Sequence, residues 1–151
     1  NSLTWLEGNK NKNIKFDLIL LDGDHNYYTV KKELEHLQSY VHNATIIVCD
    51  DYNGRHDDKD MFYYDRKEYA DNKLATVPVV SEKQGVKNAV NDFLNETNRN
   101  LKGIQFGDLD PCVIFDQDFL KFHTKEMPDS GLLRDLKFHI ELMPDAIFAK
   151  G

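Results

Sequence analysis

The sequence predicts an α/β domain with a mainly parallel sheet, and three features carry that prediction. Phe16-Asp17-Leu18-Ile19-Leu20-Leu21 and Ala44-Thr45-Ile46-Ile47-Val48-Cys49 are nearly unbroken apolar runs of strand length, the pattern of strands covered on both faces. Between them, Val30, Leu34, Leu37 and Val41 recur at i, i+4, i+7 and i+11, the stripe of a helix that buries one face. Both runs end in acidic residues, Asp22-Gly23-Asp24-His25 after the first and Asp50-Asp51 after the second. A strand, a crossover helix and a parallel strand make a right-handed unit. Ligands of open α/β sheets bind beyond the carboxyl ends of such strands.

The remaining elements follow in chain order. Leu3-Thr4-Trp5-Leu6 is a short amphipathic piece with Ser2 as its candidate cap, and a polar loop leads from it to the first strand. Residues 52–76, polar and aromatic, form a segment long enough to be a lid or insert over the site. Within it, Tyr52, Tyr63, Tyr64 and Tyr69 are candidates to shape an acceptor pocket, and His56-Asp57-Asp58 to add to the acidic site. Val77-Pro78-Val79-Val80 reads as a short extended piece. Ser81 to Glu96 reads as a helix, with Ser81 as N-cap and Val86, Ala89, Val90, Phe93 and Leu94 as its buried stripe. Gly103 to Phe106 and Pro111 to Phe115 read as an edge hairpin turning through Gly107, Asp108 and Asp110. A further helix is expected around Leu132, Leu133, Leu136 and Ile140, and a last strand at Ala146 to Ala149. No repeat or linker divides residues 1–151, so one domain is expected.

Composition bounds the function. A chain of 151 residues with 40% hydrophobic content can bury a core. The net charge of −7 argues against a nucleic-acid backbone or an anionic membrane as partner and suits cationic ligands. Cys49 and Cys112 lie inside apolar runs, where reduced, buried thiols are expected, and with them an intracellular, cytoplasmic protein. No apolar run approaches the roughly eighteen residues of a membrane span.

The acidic residues after the two strands carry the candidate chemistry. Neighbouring strands lie ~4.8 Å apart, so Asp22 and the Asp50-Asp51 pair share one small volume. Carboxylates that close repel one another unless a cation lies between them. The plainer alternatives are that these are solvated loop carboxylates and that Asp24 only caps the helix beginning near Asn26. His36, His42, His123 and His139 have no ligand spacing and read as surface or packing residues.

The run from Phe16 to Tyr27, the helix, Ile46-Ile47-Val48-Cys49-Asp50-Asp51-Tyr52, and Gly85-Val86-Lys87-Asn88-Ala89-Val90 opening a helix together resemble the carboxyl half of class I S-adenosylmethionine-dependent methyltransferases. Within that family they look like the metal-dependent O-methyltransferases related to the macrolide and aminocoumarin sugar methyltransferases. The resemblance runs from about Asn1 to Leu94 and fades after residue 100. It implies a Rossmann-like fold and the cofactor S-adenosylmethionine. It also implies Mg2+ or another divalent cation held by Asp22, Asp50 and Asp51. Asp24 is implied as general base, with His25 as the other candidate, and Ser2 and Asp22 as cofactor contacts. The implied acceptor is a hydroxyl on a small molecule or sugar. The family's glycine-rich loop and the acidic residue after its second strand have no counterpart here, and no Gly-x-Gly occurs. The expectation is therefore a partial domain without its amino-terminal strands, inactive alone. A fragment's missing half, a partner chain or a homo-oligomer would then complete the exposed sheet edge. The Asp22-x-Asp24 pattern also resembles the metal signature of nucleotide-sugar glycosyltransferases and of topoisomerase-primase domains, the latter disfavoured by the acidic charge. A non-catalytic methyltransferase-like binding or assembly module is the third reading.

Overall fold

The computed structural model describes residues 1–105 and 109–118. The expected helix at Leu132 to Ile140, the strand at Ala146 to Ala149, residues Phe106, Gly107 and Asp108, and His123 and His139 lie outside the described residues. The elements run α1 (Ser2–Asn9), β1 (Phe16–Leu21), α2 (Tyr27–Leu37), β2 (Val41–Cys49), a 3-10 turn (Tyr63–Asp65), α3 (Lys67–Asp71), α4 (Val86–Glu96), β3 (Leu101–Gln105) and β4 (Cys112–Asp116).

The α/β architecture holds, but the sheet is mixed rather than mainly parallel. Its order is β1-β2-β4-β3. β1 and β2 are parallel, joined by the crossover helix α2, while β4 runs antiparallel to both β2 and β3. The reason is the hairpin between β3 and β4, which returns the chain beside β2 without a second crossover. Leu21 pairs with Cys49 and Cys49 with Cys112. One row across the sheet thus ends β1 and β2 and begins β4. The backbone N–H of Asp50 donates to the Leu21 carbonyl at 2.9 Å and carries the pairing one step past the strands.

Most of the core lies on the helical face. Val30, Leu34 and Leu37 of α2 and Val86, Ala89, Val90 and Phe93 of α4 bury against Ile19, Ile47, Cys49 and Ile114. Val41, expected at the end of the α2 stripe, instead opens β2. The strand begins earlier than its apolar run because the pairing shifts from Phe16 with Val41 to Leu18 with Ile46. The residues in excess bulge outward, held by the Thr45 hydroxyl, which donates to the Phe16 carbonyl at 2.6 Å and accepts from His42 N–H at 2.9 Å. Cys49 and Cys112 are free and buried, as expected. Burial pushes the Cys112 thiol up to about 12, far from the thiolate range.

Two helix starts differ from the expected ones. Asn1, not Ser2, caps α1, its side chain accepting from Thr4 N–H at 2.9 Å. α4 begins at Val86, not Ser81, whose hydroxyl bonds the Lys83 carbonyl instead. Residues 52–76 cause the second difference. This segment crosses the amino terminus of α4, where the carbonyls of His56 and Asp57 accept from Val86 and Lys87 N–H, each at 3.0 Å. The Asp60 carboxylate accepts from the N–H of Gly85 and of Tyr27, each at 2.8 Å, and so ties α4 to α2. These partners satisfy donors that a local cap would otherwise serve. Val77, Val79 and Val80 form no strand and are exposed.

Candidate functional site

The sheet row that ends at Leu21 and Cys49 delivers Asp22 and Asp50 side by side. Ligand atoms of Asp22, His25 and Asp50 lie within 4.8 Å of one another, a spacing that one cation can bridge with bonds of roughly 2.0–2.6 Å. Asp50 is 8% exposed, and its Oδ1 is buried without a hydrogen-bond partner. Burial, then a hydrogen bond shared with Asp22, then the charges of Asp22 and Asp110, push the Asp50 carboxyl up to about 7. An orphaned buried oxygen beside two further donors fits a divalent ion.

His25 sits between the acids. Its Nδ1–H donates to Asp51 Oδ2, and its Nε2 lies 3.4 Å from Asp22 Oδ1. Burial opposes its protonation, but the Asp51 hydrogen bond and the charges of Asp51, Asp50 and Asp22 outweigh it and raise the imidazole above its ordinary range. Set among three carboxylates, the ring is thus shifted toward its charged form. Asp51 is turned toward this ring. Its other oxygen accepts from Arg55 N–H at 2.9 Å, and the His25 contact lowers its carboxyl. The set that converges is therefore Asp22, His25 and Asp50, with Asp51 positioning the histidine rather than standing free. The His56 ring meets His25 edge-on, with centroids 5.6 Å apart, so the segment over the site does add to its wall. A cavity of about 420 Å³ opens here, with Arg55, His56, Tyr63 and Arg66 also in its wall.

Asp24 faces a second cavity. It does not cap α2, because Asn26 does so, accepting from Thr29 N–H at 2.8 Å. The Asp24 carboxylate accepts instead from Tyr63 N–H at 2.7 Å and Thr76 N–H at 3.3 Å, pinning both ends of the stretch between them. Burial raises its carboxyl, and these two N–H groups pull it back. The cavity, about 650 Å³, is lined by Ser2, Asp22, Asp24, Glu33, Leu74 and the paired rings of Tyr63 and Tyr69. Of the other candidate tyrosines, Tyr52 donates to Asn91 at 2.8 Å and Tyr64 is exposed. His36 and His42 pair with Glu7 and Asp17 away from the site.

Glu33 was not among the candidates, although the sequence carried its signal. Positions 30, 33, 34 and 37 complete the i, i+3, i+4, i+7 face of α2. Glu33 is buried, and burial pushes its carboxyl up to about 7, with the Ser2 hydrogen bond lowering it and the Asp24 charge raising it. The folded value lies above the ordinary 4.5. The stability of the neutral form is thus fully present below that ordinary value and is lost as pH rises through about 7. Glu33→Gln is expected to raise the melting temperature at pH 8, gaining roughly 2–3 kcal/mol, and to change little at pH 4.5. Thermal unfolding at the two pH values checks this, and an equal shift at both removes the ionisation argument.

Residues 1–52, which span α1, β1, α2 and β2 and end just past Asp50 and Asp51, match the family model described as a methyltransferase domain. This part of the chain is similar to such domains, and methyl transfer is the class of reaction the match supports. No curated protein and no solved structure matches the chain. Among the described residues, no helix is long and apolar enough to cross a membrane.

Proposed function

We propose that the chain carries the cation-binding part of an S-adenosylmethionine-dependent O-methyltransferase, which uses a divalent cation to methylate a hydroxyl of a small molecule or sugar. One observation carries the reading. Asp22, His25 and Asp50 converge at the carboxyl ends of two adjacent parallel strands, inside a segment similar to methyltransferase domains. Between that point and α1 lies the larger cavity, with Ser2, Asp24 and Glu33 among its polar groups, and we assign it to the adenosine part of the cofactor.

Each group has a role in this scheme. Asp22 and Asp50 hold the cation, Mg2+ or a similar hard ion, since Asp50 keeps a free buried oxygen. When bound, the ion lowers the pKa of the acceptor hydroxyl and the sulfonium cofactor supplies the methyl group. With a cation offsetting the carboxylates, His25 would shed its own proton and accept that of the hydroxyl at Nε2, Asp51 fixing its tautomer by accepting at Nδ1. Transfer would make the O–C bond as the cofactor's C–S bond breaks, the electron pair leaving with sulfur. Asp51, a cation ligand by resemblance, takes the positioning role because both its oxygens already accept hydrogen bonds. Asp24, the general base by resemblance, instead holds the lid over the cofactor cavity, since its carboxylate is occupied by Tyr63 and Thr76 N–H. The rest is alignment.

Calorimetric titration separates the alternatives. In a protein that carries the whole domain, S-adenosylmethionine is expected to bind with a Kd on the order of 1 μM to 1 mM, while a uridine nucleotide-sugar gives no heat. Heat from the nucleotide-sugar alone would replace this reading with the glycosyltransferase one. No heat from either leaves the assembly module.

A further inference from the structure

We infer that Asp110, in the connection between β3 and β4, is a further ligand of the same cation, so that three segments of the chain close the site. The inference rests on the cation-site reading. It lies outside the matched residues 1–52 and beyond the stretch over which the resemblance holds. Because Leu21, Cys49 and Cys112 share one row of the sheet, the residues just after β1, just after β2 and just before β4 lie along a single edge. Asp22, Asp50 and Asp110 occupy those three places.

Asp110 is not one of the three residues whose ligand atoms already converge within 4.8 Å, so its carboxylate would swing toward the ion on binding; its surroundings favour that. Asp110 Oδ1 is buried with no hydrogen-bond partner, as is Oδ1 of Asp50, a residue that is more than nine-tenths buried and lines the same cavity. Two orphaned carboxylate oxygens lining one cavity are groups that a bound cation would satisfy. Backbone contacts fix Asp110 there, its own carbonyl accepting from Asn53 N–H at 2.9 Å and the Leu109 carbonyl from the Asn53 amide at 3.4 Å. Gly54 makes the approach possible. A Cβ on it would lie 2.1 Å from Asp51 Oδ1, 2.3 Å from Asp110 Oδ2 and 2.7 Å from Asp110 Oδ1. The two carboxylates therefore converge over bare backbone. With both oxygens of Asp51 accepting hydrogen bonds, Asp110 supplies the third open carboxylate for a hard, oxygen-preferring ion.

Titration with Mn2+ alone, followed by calorimetry, tests this. Asp110→Asn is expected to weaken Mn2+ binding at least about tenfold, and Asp50→Asn at least as much. Gly54→Ala, which keeps every carboxylate but forces Asp51 and Asp110 apart, is expected to weaken it as well. If Asp110→Asn binds like the wild type while Asp50→Asn fails, Asp110 is not a ligand and the Asp22–Asp50 site stands. Wild-type protein that takes up no Mn2+ overturns both. Should circular dichroism find Asp110→Asn unfolded, wild-type affinity in Gly54→Ala overturns the inference in its place.

Discussion

In a protein that carries the whole domain, Asp50→Asn is expected to remove cation-dependent methyl transfer, by at least about 100-fold, while leaving the fold intact. The substitution keeps the side chain's volume and removes the charge whose orphaned oxygen faces the site, and loss of a ligand costs at least what loss of its supporting partners does. Stability should move the other way. The Asp50 carboxyl stands at about 7, raised first by burial, so its ionised form destabilises the cation-free protein above that pH, and asparagine relieves it. A melting temperature at pH 8 that holds or rises, alongside lost activity, is the expected signature. The same pKa sets a pH dependence. Cation and proton compete for this carboxylate, so affinity in the wild type should fall by up to tenfold for each pH unit below about 7. Retained activity in Asp50→Asn would remove the residue from the mechanism.

Gly85→Ala is expected to cause the largest loss of stability. Gly85 adopts φ 81° and ψ 160°, a region open essentially to glycine alone. An added Cβ would also lie 2.2 Å from the Asp57 carbonyl oxygen and 2.7 Å from the Asp58 Cα. Those neighbours are backbone, so the segment must lift from α4 and give up the bonds from Val86 and Lys87 N–H. Strain and overpacking together cost about 3–5 kcal/mol, a melting-temperature loss of roughly 10 °C for a chain of this size. A shift within about 2 °C would mean that the segment is held elsewhere.

What the sequence made legible was local. Runs such as Leu18 to Leu21 and Ile46 to Cys49 announce their strands by apolar content alone, but the expected cover on both faces holds only for the end of β2, since Leu18 and Leu20 of β1 are exposed. Acids at their ends announce the site, and Asp22 and Asp50 do converge. What escaped depends on partners far along the chain. Ser81 looks like a cap because serine caps helices locally, yet α4 is capped from His56, Asp57 and Asp60. The direction of β4 follows from a turn that spacing cannot orient. Asp110 reaches the site through strand order alone, a relation that residue spacing does not carry.

The anchoring of residues 52–76 sets where this protein can change. From Gly54 to Asp60 the backbone is committed to two helix termini and a carboxylate pair. Between Tyr63 and Thr76, by contrast, the Asp24 carboxylate clasps the two ends. Lengthening or exchanging the stretch around Asn72 and Lys73 would recast the wall of the larger cavity without loosening the frame beneath it. On the assignment of that cavity to the cofactor, its fit could be retuned there while the sheet and its acids stay fixed.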